Sequence, residues 1–302
     1  MDFLYLLEKL RMPWLTKLML TITELGGETA FLVIALIVFW CVDKRRGYFL
    51  MSVGFMSTIC NQFLKLFCRI PRPWVLDPEF TAVEEAIPEA TGYSFPSGHS
   101  QSSVGTFGCL AVTAKKKWMQ ALCIALMVLV PFSRMYLGVH TPADVLTGMA
   151  ISLALVFLLR PLVYREGGMK WLIPIMLIQA AAYLAYVELT AFPTDMDAHN
   201  LESGFKNAYT LFGSVAGVAV VYPAERKWVK FSNEAVWWAQ ILKAVGGLVV
   251  VLAVKEGLKV PLELILPALS ARAVRYFLVV VTAGLVWPLS FRWFSKLGRK
   301  NG

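Results

Sequence analysis

The sequence predicts an all-α fold, a polytopic membrane helical bundle, and three observations carry that reading. Hydrophobic residues make up 58% of the 302 residues, well above the roughly 45–50% of soluble domains. Mean hydropathy is +0.62, and the charged residues, 16% of the chain, occur in bunches between apolar runs. The runs are also long. A transmembrane helix needs about 20 mostly apolar residues, and nine candidate spans fall at about 28–42, 48–66, 99–114, 118–137, 143–163, 171–190, 206–222, 236–254 and 273–291. No stretch is left for a soluble domain, so residues 1–302 read as one membrane domain.

Residues 1–25 precede the first span. Phe3, Leu6, Leu7, Leu10, Trp14 and Leu18 recur at helical spacing, with Glu8, Lys9, Arg11 and Lys17 between them. That is the pattern of an amphipathic helix lying in the membrane interface. The segment lacks the basic start and small-residue exit of a cleavable signal. A tenth span here would have to bury Glu8, Lys9 and Arg11.

The net charge of +9 raises a nucleic-acid reading, which its distribution excludes. Sixteen of the 29 Lys and Arg fall in alternate loops: 44–46, 115–117, Arg160 to Lys170, Arg226 to Lys230, and the tail from Arg292 to Lys300. This alternation is the positive-inside pattern. It places those loops in the cytoplasm, with the amino terminus and the opposite span ends outside, as in a bacterial cytoplasmic membrane.

Those outer ends carry the chemistry. The second span ends in Lys65-x6-Arg72-Pro73, where Pro71 and Pro73 stop the helix and stiffen Arg72. A guanidinium suits bidentate contact with an oxyanion and an ammonium supplies a point charge; snorkelling would also account for these two cations alone. The third span opens with Pro96-Ser97-Gly98-His99. Ser97 is placed as its N-cap, and Gly98 lets backbone N–H groups and the helix dipole approach an anion. The fourth span ends at Ser133-Arg134, and His140 and Asp144 follow after five and three intervening residues. Thr141-Pro142 starts the fifth helix. From there Asp144 can reach back to His140 and fix its tautomer, or cap its own helix.

Together these three stretches look like the signature of the type 2 phosphatidic acid phosphatase superfamily, matched at every motif position. The resemblance covers about residues 28–190 and implies a six-span catalytic core, with residues 200–302 as about three additional transmembrane helices. It also implies a hydrolase without metal or other cofactor, acting on a lipid phosphate or diphosphate among membrane lipids. In that scheme His140 attacks phosphorus to give a phosphohistidine, and Asp144 holds it. His99 protonates the leaving oxygen and then activates water. Lys65, Arg72, Ser97, Gly98 and Arg134 bind the phosphate oxygens. A soluble or sphingoid phosphate as substrate, or transfer to an acceptor other than water, would use the same residues. A pure transporter would have no need of His140 paired with Asp144.

The remaining features read as structural. Cys41, Cys60, Cys68, Cys109 and Cys123 lie in or beside apolar segments without ligand spacing. His199 has no motif partner and reads as solvated. Asp77, Glu79, Glu84, Glu85 and Glu89 form a solvated loop, or a lid paired with the motif cations. Lys243 is expected to snorkel toward Trp237 and Trp238, or else to make a polar contact between helices, and Gly213-x3-Gly217 to pack against another helix.

Overall fold

The computed structural model describes residues 1–297, and those residues are helical with no strand. The helices are α1 Asp2–Lys9, α2 Pro13–Glu24, α3 Glu28–Ile37, α4 Lys44–Cys68, α5 Pro73–Leu76, α6 Gly98–Thr113 and α7 Lys117–Tyr136. They continue with α8 Pro142–Tyr164, α9 Gly168–Leu189, α10 Ala198–Ala224, α11 Trp237–Gly257, α12 Lys259–Glu263, α13 Ala268–Val281 and α14 Phe291–Phe294. A helix covers each of the nine expected spans, although Arg299 and Lys300 of the basic tail lie outside the described residues.

Among the described residues, five helices are long and apolar enough to cross a membrane: α7, α8, α9, and the runs Trp237–Glu263 and Ala268–Phe294. A sixth is α2 with Glu28–Val42, bent by 50° at the break. The chain is an integral, multi-pass membrane protein. Helices α4, α6 and α10 fall outside that set, so length and composition give fewer spans than the nine expected. In α6 the reason is visible: its 16 residues bury Ser100, Gln101, Ser103 and Thr106, polar side chains turned into the protein.

The first 25 residues form two helices, where one was expected. Met12 is extended and Pro13 starts α2 at its first position, because proline lacks the N–H that an ongoing helix would need. The apolar stripe does face outward: Phe3, Leu6, Leu10, Trp14 and Leu18 are exposed, whereas Leu4 and Leu7 are buried.

Contacts divide the chain into two compact units, each assembled from separate segments. The first comprises Met1–Leu32, Ser52–Pro161 and Ala191–Gly204. It contains a small apolar core of Met19, Ala86, Tyr136, Leu137 and Val139. A buried polar network joins α4, α6 and α8: the hydroxyls of Ser57 and Ser152 meet at 2.7 Å, Gln101 Nε2 donates to Ser57 O at 2.6 Å, and Asn61 Nδ2 donates to Gln101 Oε1 at 2.8 Å and to Pro96 O at 3.1 Å. Buried amides pay for desolvation only when so satisfied. Here they fix the strap before α6 to the body of α4.

The second unit comprises Val33–Met51, Leu162–Thr190 and Phe205–Gly302. Helices α10 and α13 meet closely at the predicted glycines: a methyl on Gly213 would lie 2.1 Å from Ala273 O, and one on Gly217 2.8 Å from Val280 Cβ. Lys243 does not snorkel. It is fully buried, Nζ donates to Asn233 O at 3.0 Å, and it sits 4.6 Å from the Phe291 ring centroid. A carbonyl and an aromatic face within reach make the inward rotamer cheaper than the stretch to the interface. All five cysteines are free thiols.

Candidate active site

The first unit brings the motif residues to the ends of five helices. Lys65 lies in the last turn of α4, Arg72 is the N-cap of α5, and Ser97 is the N-cap of α6. Arg134 lies in the last turn of α7, His140 in the following loop, and Asp144 in the first turn of α8. Lys65, Arg72, Ser97, Arg134, His140 and Asp144 are all at most 6% exposed.

Arg72 is held almost entirely by carbonyls. Nε donates to Gly92 O at 3.2 Å, Nη2 to Thr91 O at 2.7 Å and Nη1 to Val139 O at 3.0 Å. The same Nη1 lies 2.8 Å from His140 Nε2. It also lies 3.4 Å from Nδ1. Arginine has no lone pair to accept with, so a hydrogen bond to Nε2 requires the neutral ring with its proton on Nδ1.

On that side stand Asp144 Oδ2 at 3.5 Å and Ser94 Oγ at 3.4 Å. The expected pairing of Asp144 with His140 is thus looser than a hydrogen bond. Oδ2 is engaged more tightly elsewhere, by Ser94 Oγ at 2.6 Å and the Thr141 backbone N–H at 2.7 Å. Asp144 N in turn lies 3.3 Å from Thr141 Oγ1, completing a capping box. The structure shows the capping reading of Asp144, and Ser94 stands between its carboxylate and the imidazole. Ser94 gives its one proton to Asp144, so its lone pairs face the imidazole.

The phosphate-binding candidates have few competing partners. Lys65 Nζ donates to Tyr93 O. Arg134 Nη1 donates to Thr23 Oγ1 at 2.9 Å, while its buried Nε and Nη2 have no hydrogen-bond partner. A fully buried guanidinium with two unused donor nitrogens demands an anion. Ser97 caps α6 as expected, accepting from Ser100 N at 3.4 Å and Ser100 Oγ at 2.9 Å, and its own N–H donates to Asp144 O at 3.0 Å. Gly98 and His99 form the first turn. A methyl on Gly98 would touch only Asn61 Oδ1, at 3.5 Å. His99 is half-buried and makes no hydrogen bond among the described residues. It faces the break between α2 and α3: a methyl on Gly26 would lie 3.3 Å from His99 Cβ and one on Gly27 4.0 Å from its Nε2.

Burial holds the His140 imidazole well below its usual 6.5, and the charges of Arg72, Arg134, Lys65 and His99 add to that in this order. Burial also lowers the Arg72 guanidinium to about 10, with Asp144 opposing the shift. At neutral pH the site therefore offers a neutral imidazole beside charged Arg72.

The chain matches the family model described as the PAP2 superfamily over residues 46–167, which holds every motif residue, and the PAP2 superfamily phosphatase transmembrane extension over 209–300. It is 30% identical over 146 residues to an undecaprenyl-diphosphatase of Sulfolobus acidocaldarius, covering 48% of this chain and 68% of that protein. The chain belongs to the PAP2 superfamily.

Other PAP2-type relatives are a phosphatidylglycerophosphatase B of Bacillus subtilis, 29% identical over 50% of this chain and 76% of the relative, and a sphingosine-1-phosphate phosphatase 1 of Rattus norvegicus, 27% identical over 47% and 33%. No solved structure matches. The PAP2 signature itself omits Ser94, Thr23 and the carbonyls of Thr91, Gly92, Tyr93 and Val139. Ser94 stands three residues before Ser97, the one local hint. Thr23 is 111 positions from Arg134 and leaves no sequence signal. His199 is exposed at the start of α10. The five loop acids make no ion pair with Lys65, Arg72 or Arg134 among the described residues. The loop is instead gripped from α1, where Tyr5 donates to Asp77 Oδ2 at 3.0 Å, and Thr81 N, 3.2 Å away, and its hydroxyl donate to Glu8.

Proposed function

We propose that this PAP2 protein is a metal-independent membrane phosphatase that hydrolyses a lipid phosphate or diphosphate through a phosphohistidine on His140, at the extracytoplasmic face. The observation that carries this reading is Arg72 Nη1 at 2.8 Å from His140 Nε2, with Nδ1 turned to Ser94 and Asp144. It supports a nucleophile in its reactive tautomer with a phosphate-binding cation already at the attacking atom. The names of the relatives support phosphatidylglycerophosphate or undecaprenyl diphosphate as the kind of substrate. The alternating basic loops support the outward orientation.

In the first step an incoming phosphate draws the Arg72 fork from Nε2 onto its equatorial oxygens, freeing the lone pair. The Nε2–P bond forms as the P–O bond to the lipid breaks, and His99 in its protonated form gives its proton to the leaving oxygen. Lys65, Arg134, the Ser97 hydroxyl and the Gly98 N–H stabilise the charge on the transferring group. In the second step His99 takes a proton from water, the new O–P bond forms and the N–P bond breaks. Inorganic phosphate leaves. Ser94 and Asp144 hold Nδ1–H throughout.

The test is phosphate release from phosphatidylglycerophosphate, undecaprenyl diphosphate and phosphatidic acid by detergent-purified protein with EDTA present. Activity with EDTA, lost in His140→Ala, is expected. Equal release by His140→Ala overturns the phosphohistidine, and recovery of the product on an added alcohol identifies a transferase.

A further inference from the structure

The run Ala268–Phe294 is a 27-residue apolar span, yet its fifth and eighth residues are arginines. We propose that the transmembrane extension holds a second anion site, for the phosphate headgroup of a membrane lipid, built from Arg272 and Arg275 of α13 and Thr210 of α10. Ionised side chains inside a span are costly and pair with something. Here the protein supplies little. Arg275 is only 6% exposed and makes no hydrogen bond and no ion pair within 4.0 Å among the described residues; its Nε is buried without a partner. The nearby acid, Glu256, is 65% exposed and already lies 3.1 Å from Lys255.

Arg272 is oriented rather than neutralised. Its Nε donates to Thr210 Oγ1 at 2.7 Å, and that hydroxyl donates to Lys206 O at 2.8 Å. Among the described residues neither Nη group makes a hydrogen bond. The Tyr276 ring stands 5.6 Å from the guanidinium of Arg272 and 5.5 Å from that of Arg275, which ties the two together by cation–π attraction. The backbone contact of Gly213 with Ala273 sets the register between the two helices. The pair is therefore placed by packing, unlike the loose, exposed head of a snorkelling arginine.

Depth selects the ligand. At 1.5 Å per residue the span is about 40 Å long, against a hydrocarbon core of about 30 Å. Centred on the core, the span overhangs it by about 5 Å at each end, so Arg272 and Arg275 stand at the core boundary and about a turn below it, within reach of a headgroup phosphate for side chains of this length. Two guanidinium forks in contact with one aromatic ring, without a carboxylate, match a phosphate group.

The test uses the whole protein in detergent and reads the rise in melting temperature on adding phosphatidylglycerol, a phosphodiester. Wild type is expected to be stabilised in a saturable way. Arg275→Gln and Arg272→Gln should each raise the half-saturating concentration about tenfold or more, the value of a lost charge-assisted hydrogen bond. Arg275→Lys should fall between them and wild type. Shifts in the glutamine variants equal to wild type, measured from each variant's own baseline, overturn the site. Full reproduction by diacylglycerol would assign the effect to the tails and overturn the headgroup; so would a rise on adding inorganic phosphate that the two glutamine variants weaken as much as they weaken the lipid's, since orthophosphate held in the catalytic cleft is indifferent to both substitutions. Far-UV circular dichroism confirms that each variant is folded, and if Arg275→Gln is not, Arg272→Gln and Arg275→Lys carry the comparison.

Discussion

Ser94 Oγ donates to Asp144 Oδ2 at 2.6 Å while lying 3.4 Å from His140 Nδ1. One hydroxyl thus spends its proton on the carboxylate and turns its lone pairs to the ring. The arrangement makes Ser94 a positioning residue for His140, the proposed nucleophile. Ser94→Ala should lower kcat roughly five- to tenfold, the worth of about 1 kcal/mol of hydrogen bond, with KM little changed. Ser94→Thr keeps the hydroxyl and should recover most of the rate. Steady-state kinetics on a short-chain lipid phosphate decides the matter; equal loss in both variants would indicate packing alone.

Asp144 both caps α8 and orders the Ser94–His140 contact. Asp144→Asn preserves much of the shape but offers an amide toward Nδ1–H. A wrong-tautomer histidine costs on the order of 10³–10⁴ in kcat where an orienting carboxylate is neutralised. A loss well beyond that of Ser94→Ala is expected, with the melting temperature shifted by no more than a few degrees.

The acid limb of the pH dependence follows from His140, while the protonated His99 that the leaving oxygen needs sets the alkaline limb. Attack needs the neutral ring, and burial with the surrounding cations keeps its value well below 6.5. Activity should therefore persist as pH falls through 6.5 and decline only near the lower folded value. Arg72→Gln removes the largest of the repelling charges, so its acid limb should move up toward 6.5, on a reduced rate. A wild-type kcat/KM profile already half-lost at about pH 6.5 would contradict the neutral, crowded histidine.

Thr23 reaches the site from α2, donating nothing and accepting from Arg134 Nη1 at 2.9 Å. Thr23→Val should leave the guanidinium less firmly aimed and raise KM about five- to tenfold, again about 1 kcal/mol. Arg134→Lys should do more, since an ammonium cannot offer the planar fork. An unchanged KM in Thr23→Val would confine the role of α2 to support of the fold.

The helical bundle and the motif were readable because both are local signals. Apolar runs declare helices, and Lys65, Arg72, Ser97, Gly98, His99, Arg134, His140 and Asp144 sit at fixed short spacings. What was not readable depends on distant pairing. Thr23 becomes relevant only once α2 lies against α7, and the carbonyls of residues 91–93 only once their loop wraps Arg72. Lys243 was expected at the interface because tryptophans flank it in sequence. The Asn233 carbonyl and Phe291 that capture it come from either side of α11 in the chain. Helix α6 was expected to look like an ordinary span, but its serines, threonine and glutamine serve the interior.

Each of the three motif cations leans on neutral acceptors: Lys65 on Tyr93 O, Arg72 on Thr91, Gly92 and Val139 carbonyls, Arg134 on a threonine hydroxyl. Among the described residues no acid is ion-paired with these three cations, so none has to be evicted for an oxyanion to enter. Free orthophosphate meets the same welcome as the esterified group, so the cleft is prone to being clogged by its own end product. Turnover would then be paced by clearance, and orthophosphate would compete with the lipid for entry.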